Sequence, residues 1–97
     1  VRDNYEVYIP NAISPDGNGI NDAWRIKGQG IAQYSFQIYN RWGQEIYTSG
    51  NQKEPAWPGT HENTGKIAPN GIYLYKLQVI DKAGLEHYYS GDVEVIR

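Results

Sequence analysis

Short segments of alternating apolar and polar residues, separated by Gly, Asn, Asp and Pro, constrain the fold of this chain most. No stretch of ten or more residues has the apolar spacing of an amphipathic helix. The predicted strands cover residues 5–10, 23–26, 34–39, 45–48, 72–81, 85–89 and 92–96. About seven short strands with turn residues between them are typical of a two-sheet sandwich, so the sequence predicts an all-β domain.

The apolar residues of the predicted strands identify the face that is buried. In the predicted strands 72–81 and 92–96, large apolar residues occupy every second position from Tyr73 to Val79 and again at Val93 and Val95, which places these residues on one side of a sheet. The predicted inner residues are Tyr73, Tyr75, Leu77, Val79, Val93 and Val95, and the predicted outer residues are Lys76, Gln78, Asp92 and Glu94. Nine Tyr and three Trp against a single Phe favour the same conclusion, because Tyr and Trp fit pleated, half-buried surfaces.

The charges and the missing residue types exclude several function classes. Nine basic and 11 acidic residues give a net charge of −2 without a block of like charge, so no nucleic acid partner is expected. No apolar run approaches the roughly 18 residues that span a bilayer, so no membrane insertion is expected. The absence of Cys excludes disulfides, thiolate zinc sites and thiol nucleophiles. We expect the isolated domain to be a monomer.

The residue types that carry catalysis are present, but their spacing does not match a known catalytic motif. His61 and His87 are the only histidines and lack the spacing of zinc ligands, so we expect both at the surface. No Ser lies in a Gly-x-Ser-x-Gly turn, and the carboxylates are scattered singly. The sequence therefore predicts a protein that is not an enzyme.

The first long loop spaces oxygen-bearing side chains at alternate positions between glycines. Hard cations such as Ca²⁺ take six to eight oxygen ligands, and loops of this kind supply them. In that interpretation Asp16, Asn18 and Asp22 are side-chain ligands, and Ile20 provides a backbone carbonyl. The alternative is an Asx-turn loop, whose side chains accept hydrogen bonds from their own backbone amides. Lys27 lies where an EF-hand has its bidentate Glu, so both interpretations stay open.

Two tryptophans lie in predicted turns or loops, Trp42 after the third strand and Trp57 in the long connection. Exposed rings at such places could stack on a sugar or on a partner protein. The favoured interpretation is that both rings cover the end of the sandwich and fill a small core, with Trp42 buried against the strand from Ile72. Tyr88 and Tyr89 are adjacent in a strand and face opposite sides, so we expect one of them to be exposed.

Four blocks of sequence span nearly the whole chain, at residues 8–22, 38–43, 69–76 and 90–97. Their cores read Pro-Asp-Gly-Asn-Gly-Ile-Asn-Asp, Asn-Arg-Trp-Gly, Pro-Asn-Gly-Ile-Tyr-Leu-Tyr and Gly-Asp-Val-Glu-Val. In content and order they resemble the gliding motility-associated C-terminal domains. There are two departures. Asp16 and Asn18 replace the more usual Asn and Asp, and Pro58 replaces the Asp of the usual Trp-Asp-Gly.

The resemblance implies both a fold and a function. Together with the strand pattern it predicts a single immunoglobulin-like β-sandwich of about seven antiparallel strands over residues 1–97, at the end of a larger exported protein. The family is similar in role to type B sorting signals of the type IX secretion system. We therefore expect the secretion machinery to recognise a folded surface of this domain. The larger protein would then pass through the periplasm of a Gram-negative bacterium to the cell surface or outside the cell.

An accessory binding module is the alternative function. Such a sandwich would bind carbohydrate or a surface protein partner, and its position in the chain would not matter. A sorting domain should instead lie at the extreme C-terminus and move a passenger. Because the sequence stops at Arg97, directly after the last predicted strand, we expect the sorting function.

Overall fold

The computed structural model describes residues 5–14, 23–49, 56–60 and 66–96. These residues form β1 (Glu6–Tyr8), β2 (Ala12–Ile13), β3 (Lys27–Gln29), β4 (Ile31–Tyr39), β5 (Glu45–Thr48), β6 (Gly71–Asp81) and β7 (Glu86–Val95). The seven strands build a two-stranded sheet, β1-β3, and a five-stranded sheet of order β2-β7-β6-β4-β5. The predicted all-β sandwich of about seven strands is confirmed.

One strand pair differs from the antiparallel arrangement that the sequence predicted. Strand β2 pairs with β7 in parallel, and the backbone N–H groups of Glu94 and Ile96 donate to the carbonyls of Asn11 and Ile13. Antiparallel direction follows when a tight turn joins two strands. Almost the whole domain separates β2 from β7 in sequence, so no turn imposes that direction on this pair.

The predicted inner face of the large sheet is confirmed. The side chains at alternate positions of β6 and β7 are buried: Tyr73, Tyr75, Leu77, Val79, Val93 and Val95. On the opposite face Lys76, Asp92 and Glu94 are exposed and Gln78 is half-buried. The register that produces this face pairs Phe36 with Leu77 and Leu77 with Tyr89.

Glycines explain where the strand boundaries differ from the prediction. The predicted strands 85–89 and 92–96 form one continuous strand through Gly91, where a Cβ atom would lie 2.8 Å from the Tyr75 hydroxyl oxygen. This glycine therefore makes room for a core tyrosine and does not end the strand. Strand β3 was missed because its residues are poor strand formers. Its Gly28 has φ +153°, and a Cβ atom there would overlap the backbone oxygen of Glu6 in β1.

Two tryptophans close the core between the sheets. Trp24 and Trp57 are fully buried, and each backbone N–H donates to the other's carbonyl over 2.8 Å. Their indole N–H groups donate to the carbonyls of Pro10 (2.7 Å) and Thr60 (2.9 Å). The predicted strand 23–26 is thus reduced to a single bridge at Trp24. The prediction that Trp57 fills the core is confirmed, and a buried indole keeps its required hydrogen-bond partner.

Candidate functional site

The predicted cation ligands Asp16, Asn18, Ile20 and Asp22 lie outside the described residues. The choice between a cation site and an Asx-turn loop therefore stays a prediction. Among the residues that the structure does describe, no group of three or more His, Cys, Asp and Glu side chains could hold a metal ion.

His87 is the second residue of β7 and is half-buried, and His61 is outside the described residues. The Nε2 atom of His87 lies 2.8 Å from Oδ2 of Asp81. The other carboxylate oxygen, Oδ1, accepts the backbone N–H groups of Ala83 and Leu85 at 2.9 Å. The hydrogen bond with His87 and those from the turn hold the pKa of the Asp81 carboxyl below its ordinary value of 3.8. Because this carboxylate is fully engaged in closing the turn, the pair is structural.

The chain before β1 packs on the same histidine. The Tyr5 ring stacks on the His87 ring with 4.2 Å between centroids, and the hydroxyls of Tyr5 and Tyr89 are 2.7 Å apart. Burial and the hydrogen bond with Tyr89 raise the pKa of the Tyr5 hydroxyl above its ordinary range. These contacts hold the segment before β1, and with it the small sheet, against the first residues of β7.

Trp42 is exposed, so the prediction that it is buried against β6 was wrong. The turn from β4 to β5 closes on Asn40, whose Oδ1 atom accepts the backbone N–H groups of Trp42 and Gln44 at 3.0 Å. Gly43 supports this turn with φ +84°. The turn is stable without the indole, which projects outward with 71% of its surface exposed. The Arg41 guanidinium lies 4.5 Å from the centroid of the indole ring.

This tryptophan borders a groove at one end of the sandwich. The groove has a volume of about 260 Å³ and lies between residues 40–42 and residues 69–73. We call it the Trp42 groove. It brings together two blocks that are about thirty residues apart in sequence, 38–43 and 69–76. The exposed side chain of Ile72 continues its apolar surface.

A second depression lies on the outer face of the large sheet and has a volume of about 410 Å³. The side chains that line this outer-face trough come from β4, β6 and β7: Ser35, Gln37, Lys76, Gln78, Tyr88 and Ser90. Of the adjacent tyrosines, Tyr88 is exposed and Tyr89 is half-buried, as the strand pattern predicted. The trough itself was missed. Its only signal in the sequence is that uncharged polar residues fill most of the outward positions, and register is needed to bring them together.

The family of the chain follows from a sequence match that covers both surfaces. The model of the family described as "CHU_C Type IX secretion signal domain" matches residues 7–95. The chain belongs to this CHU_C family. The match supports a non-catalytic domain connected with secretion and implies export of the protein that carries it. It also implies interaction with the type IX secretion system.

Three solved structures are similar to this CHU_C domain in fold. CopC from Methylosinus trichosporium OB3b has a TM-score of 0.58 and 12% identity, over 97% of this chain and 93% of CopC. PorZ of Porphyromonas gingivalis, described as an essential bacterial surface component of the type-IX secretion system, has a TM-score of 0.54 and 22% identity. That alignment covers 96% of this chain and 11% of PorZ. Dimeric latent PorU from the same species has a TM-score of 0.50 and 20% identity, over 99% of this chain and 10% of PorU.

The CHU_C domain therefore spans about a tenth of the length of PorZ and PorU. No curated protein sequence is a significant match to it. Among its described residues there is no helix of the length and apolarity needed to cross a bilayer.

Proposed function

We propose that this domain is a non-catalytic C-terminal sorting domain, which directs a larger protein through the type IX secretion system to the cell surface. The observation that carries this proposal is the match to the CHU_C secretion signal family over residues 7–95. The family-like blocks lie at both ends and in the middle of the domain. Sorting would therefore use the folded sandwich as the signal.

The burial of the block residues limits which of them can be read by the secretion machinery. Ile38, Tyr73 and Val93 belong to blocks but are buried in the core, so their role is to hold the fold. Asn40 closes its turn through hydrogen bonds to the backbone. The Trp42 side chain neither fills the core nor closes the turn, because it is exposed and only its backbone N–H takes part in the hydrogen bonds of the turn. An exposed indole beside further apolar surface is the kind of feature that marks a protein contact.

We assign recognition by the secretion machinery to the Trp42 groove. Its chemistry favours a partner segment that offers an apolar side chain to the indole and a carboxylate to the neighbouring guanidinium. Arg41 is the one charged side chain among the described residues that line this groove, and it lies over the ring of Trp42. Arginine and tryptophan are also the residues most often found to dominate the energy of protein interfaces.

The test is an export assay in a host that has a type IX secretion system. Residues 1–97 are fused behind a fluorescent protein that is targeted to the periplasm, and the fluorescence in the medium and on the cell surface is measured. We expect export of the fusion. Retention in the periplasm, with the domain shown to be folded, would contradict the sorting function.

Two variants test the surface assignment separately. Trp42→Ala should abolish or strongly reduce export, whereas Leu85→Ala should leave export unchanged. Leu85 is a matched control, because its side chain is also apolar and 63% exposed but lies at the β6–β7 turn, at the far end of β6. Equal export of the two variants would refute the role of the groove without refuting the sorting function.

A further inference from the structure

The outer-face trough is a regular grid of side chains on three neighbouring strands. The register places Tyr88, Gln78 and Ser35 in one row and Ser90, Lys76 and Gln37 in the next. Neighbouring strands are about 4.8 Å apart, and rows two residues apart are separated by about 6.8 Å. The two serines, which have the shortest side chains of the six, occupy opposite corners of the grid.

The aromatic ring at one corner of this grid is held in place. The Tyr88 hydroxyl donates to Oε2 of Glu86 at 2.9 Å, and Nε2 of Gln78 lies 3.3 Å from both Oε1 of Glu86 and the Tyr88 oxygen. Tyr88 nevertheless keeps 68% of its surface exposed. A fixed, exposed ring is a stacking surface that loses little conformational freedom when a ligand binds.

The other lining groups offer hydrogen bonds. Within the described part of the chain, the side chains of Ser35, Gln37 and Ser90 make no hydrogen bond to another described residue. Hydroxyl and amide groups both donate and accept, so together they can bind a ligand rich in hydroxyls. The trough volume lies within the range of about 300–1,000 Å³ that is usual for small-ligand sites.

The charges around the trough disfavour an anionic ligand. Lys76 is the one charged side chain among the described lining residues, and its Nζ atom lies 5.3 Å from the Tyr39 ring centroid. Glu86 lies at the Tyr88 end, and Asp92 and Glu94 follow on the same face of β7. A ligand along this face would therefore meet more negative than positive charge. An uncharged molecule avoids that repulsion.

We propose that the outer-face trough binds an uncharged polysaccharide chain, with one sugar ring stacked on Tyr88. The amides of Gln37 and Gln78 and the hydroxyls of the two serines bind the sugar hydroxyl groups. This site lies away from the Trp42 groove and does not depend on the sorting function, so either proposal can fail alone.

The test is a titration of the ¹⁵N-labelled 97-residue chain followed by nuclear magnetic resonance. The probes are cellohexaose and laminarihexaose, which are uncharged, and an alginate hexasaccharide, which is anionic. We expect at least one uncharged probe to shift the amide signals of Gln37, Gln78 and Ser90. Its dissociation constant should be no weaker than about 1 mM, which corresponds to about −4.1 kcal/mol.

Three variants decide whether the trough holds the sugar. Tyr88→Ala should weaken binding about tenfold, which corresponds to about 1.4 kcal/mol. Tyr88→Phe should keep most of the affinity because the ring remains. Tyr8→Ala is the matched control, since Tyr8 is also 62% exposed but lies on β1 in the other sheet. Its affinity should equal that of the unmodified chain.

Four results of the sugar titrations would overturn the proposal. These are no shifts with either uncharged probe, tighter binding of the alginate probe, shifts centred on the Trp42 groove, and equal affinity of Tyr88→Ala and Tyr8→Ala. Concentration-dependent shifts of the trough signals without sugar would also overturn it, because they would show that the face binds a second copy of the chain.

Discussion

Replacing Trp57 by Ala should remove a large part of the stability of this domain, although the residue lies in a connection outside the named strands. The side chain is fully buried and packs against the Tyr73 ring at 5.4 Å between centroids. Truncating a buried Trp to Ala costs about 3–5 kcal/mol. A domain of this size is stable by only about 5–15 kcal/mol in total.

The hydrogen bond of the indole contributes a separable part of this loss. Trp57 Nε1 donates to the Thr60 carbonyl at 2.9 Å, and without the indole that carbonyl is left without this donor. Trp57→Phe keeps most of the apolar ring but not the donor. We therefore expect it to lose about 1–3 kcal/mol, which is less than the alanine variant loses.

Trp42→Ala is the matched control, because it removes the same side chain from an exposed position. Its free energy of unfolding should change by no more than about 0.5 kcal/mol. The assay is urea unfolding followed by far-ultraviolet circular dichroism, since each variant loses a different one of the three Trp fluorophores and the fluorescence signals would not be comparable. With an m-value of about 1.5 kcal/mol/M, a loss of about 3–5 kcal/mol lowers the midpoint by about 2–3 M.

Two results would refute the reasoning. A loss below about 1 kcal/mol for Trp57→Ala would mean that the ring is not part of the core. A loss above about 1 kcal/mol for Trp42→Ala would mean that Trp42 packs against the sandwich, as the sequence alone suggested.

Three further predictions concern the core, the β6–β7 turn and the first long loop. Leu77→Ala should cost about 2–5 kcal/mol in the same urea assay, and a loss below about 0.5 kcal/mol would mean an inverted register. The pKa of Asp81 is lowered by folding, so its contribution is present above the ordinary value of 3.8 and is lost as pH falls through the folded pKa. Acid melts of Asp81→Asn should therefore lose less stability below that pH than the unmodified chain does. For the predicted cation, Ca²⁺ at a hundredfold excess over its dissociation constant should add about 2.7 kcal/mol, and Asp22→Ala should abolish the gain. Identical melts in calcium and in chelator, with no metal in the purified protein, would favour the Asx-turn loop.

Strands β4 to β7 of the large sheet could be predicted because their pattern is local, whereas the two-residue β2 lies in a segment that was predicted as a loop. From Tyr75 to Val79 in β6 apolar side chains alternate with polar ones, and the turn residues before and after the strand mark its ends. Period-two alternation is imposed by the pleat itself, so it needs no knowledge of the neighbouring strands. The β4–β5 hairpin has the same advantage, and the predicted bounds of β5, 45–48, agree with the structure.

The parts that could not be predicted depend on contacts between distant segments. Gly91 reads as a strand break until Tyr75 is seen opposite it, since the space that the glycine leaves is filled by a ring from the next strand. Trp24 and Trp57 bond to each other across more than thirty residues. Nothing near either residue in sequence indicates that pairing. The outer-face trough likewise could not be predicted, because the side chains that line it come from three strands.

Most of the aromatic side chains in the described part of the chain have a structural role, and this makes the exceptions informative. Trp24, Trp57 and Tyr73 are buried, and each donates its polar hydrogen to a backbone carbonyl. Tyr8, Trp42 and Tyr88 remain mostly exposed. A single exposed ring is ordinary, but Trp42 and Tyr88 each border a concave surface, which points to a contact outside the domain.

These two rings also lie on different surfaces, one in the Trp42 groove and one on the outer-face trough. Export and sugar binding should therefore respond to different single substitutions. Trp42→Ala should lose export and keep its affinity for the uncharged hexasaccharide, and Tyr88→Ala should do the reverse. If either substitution impaired both properties in a folded domain, the two surfaces would have to act as one site. In that case a polysaccharide would be part of the sorting step itself.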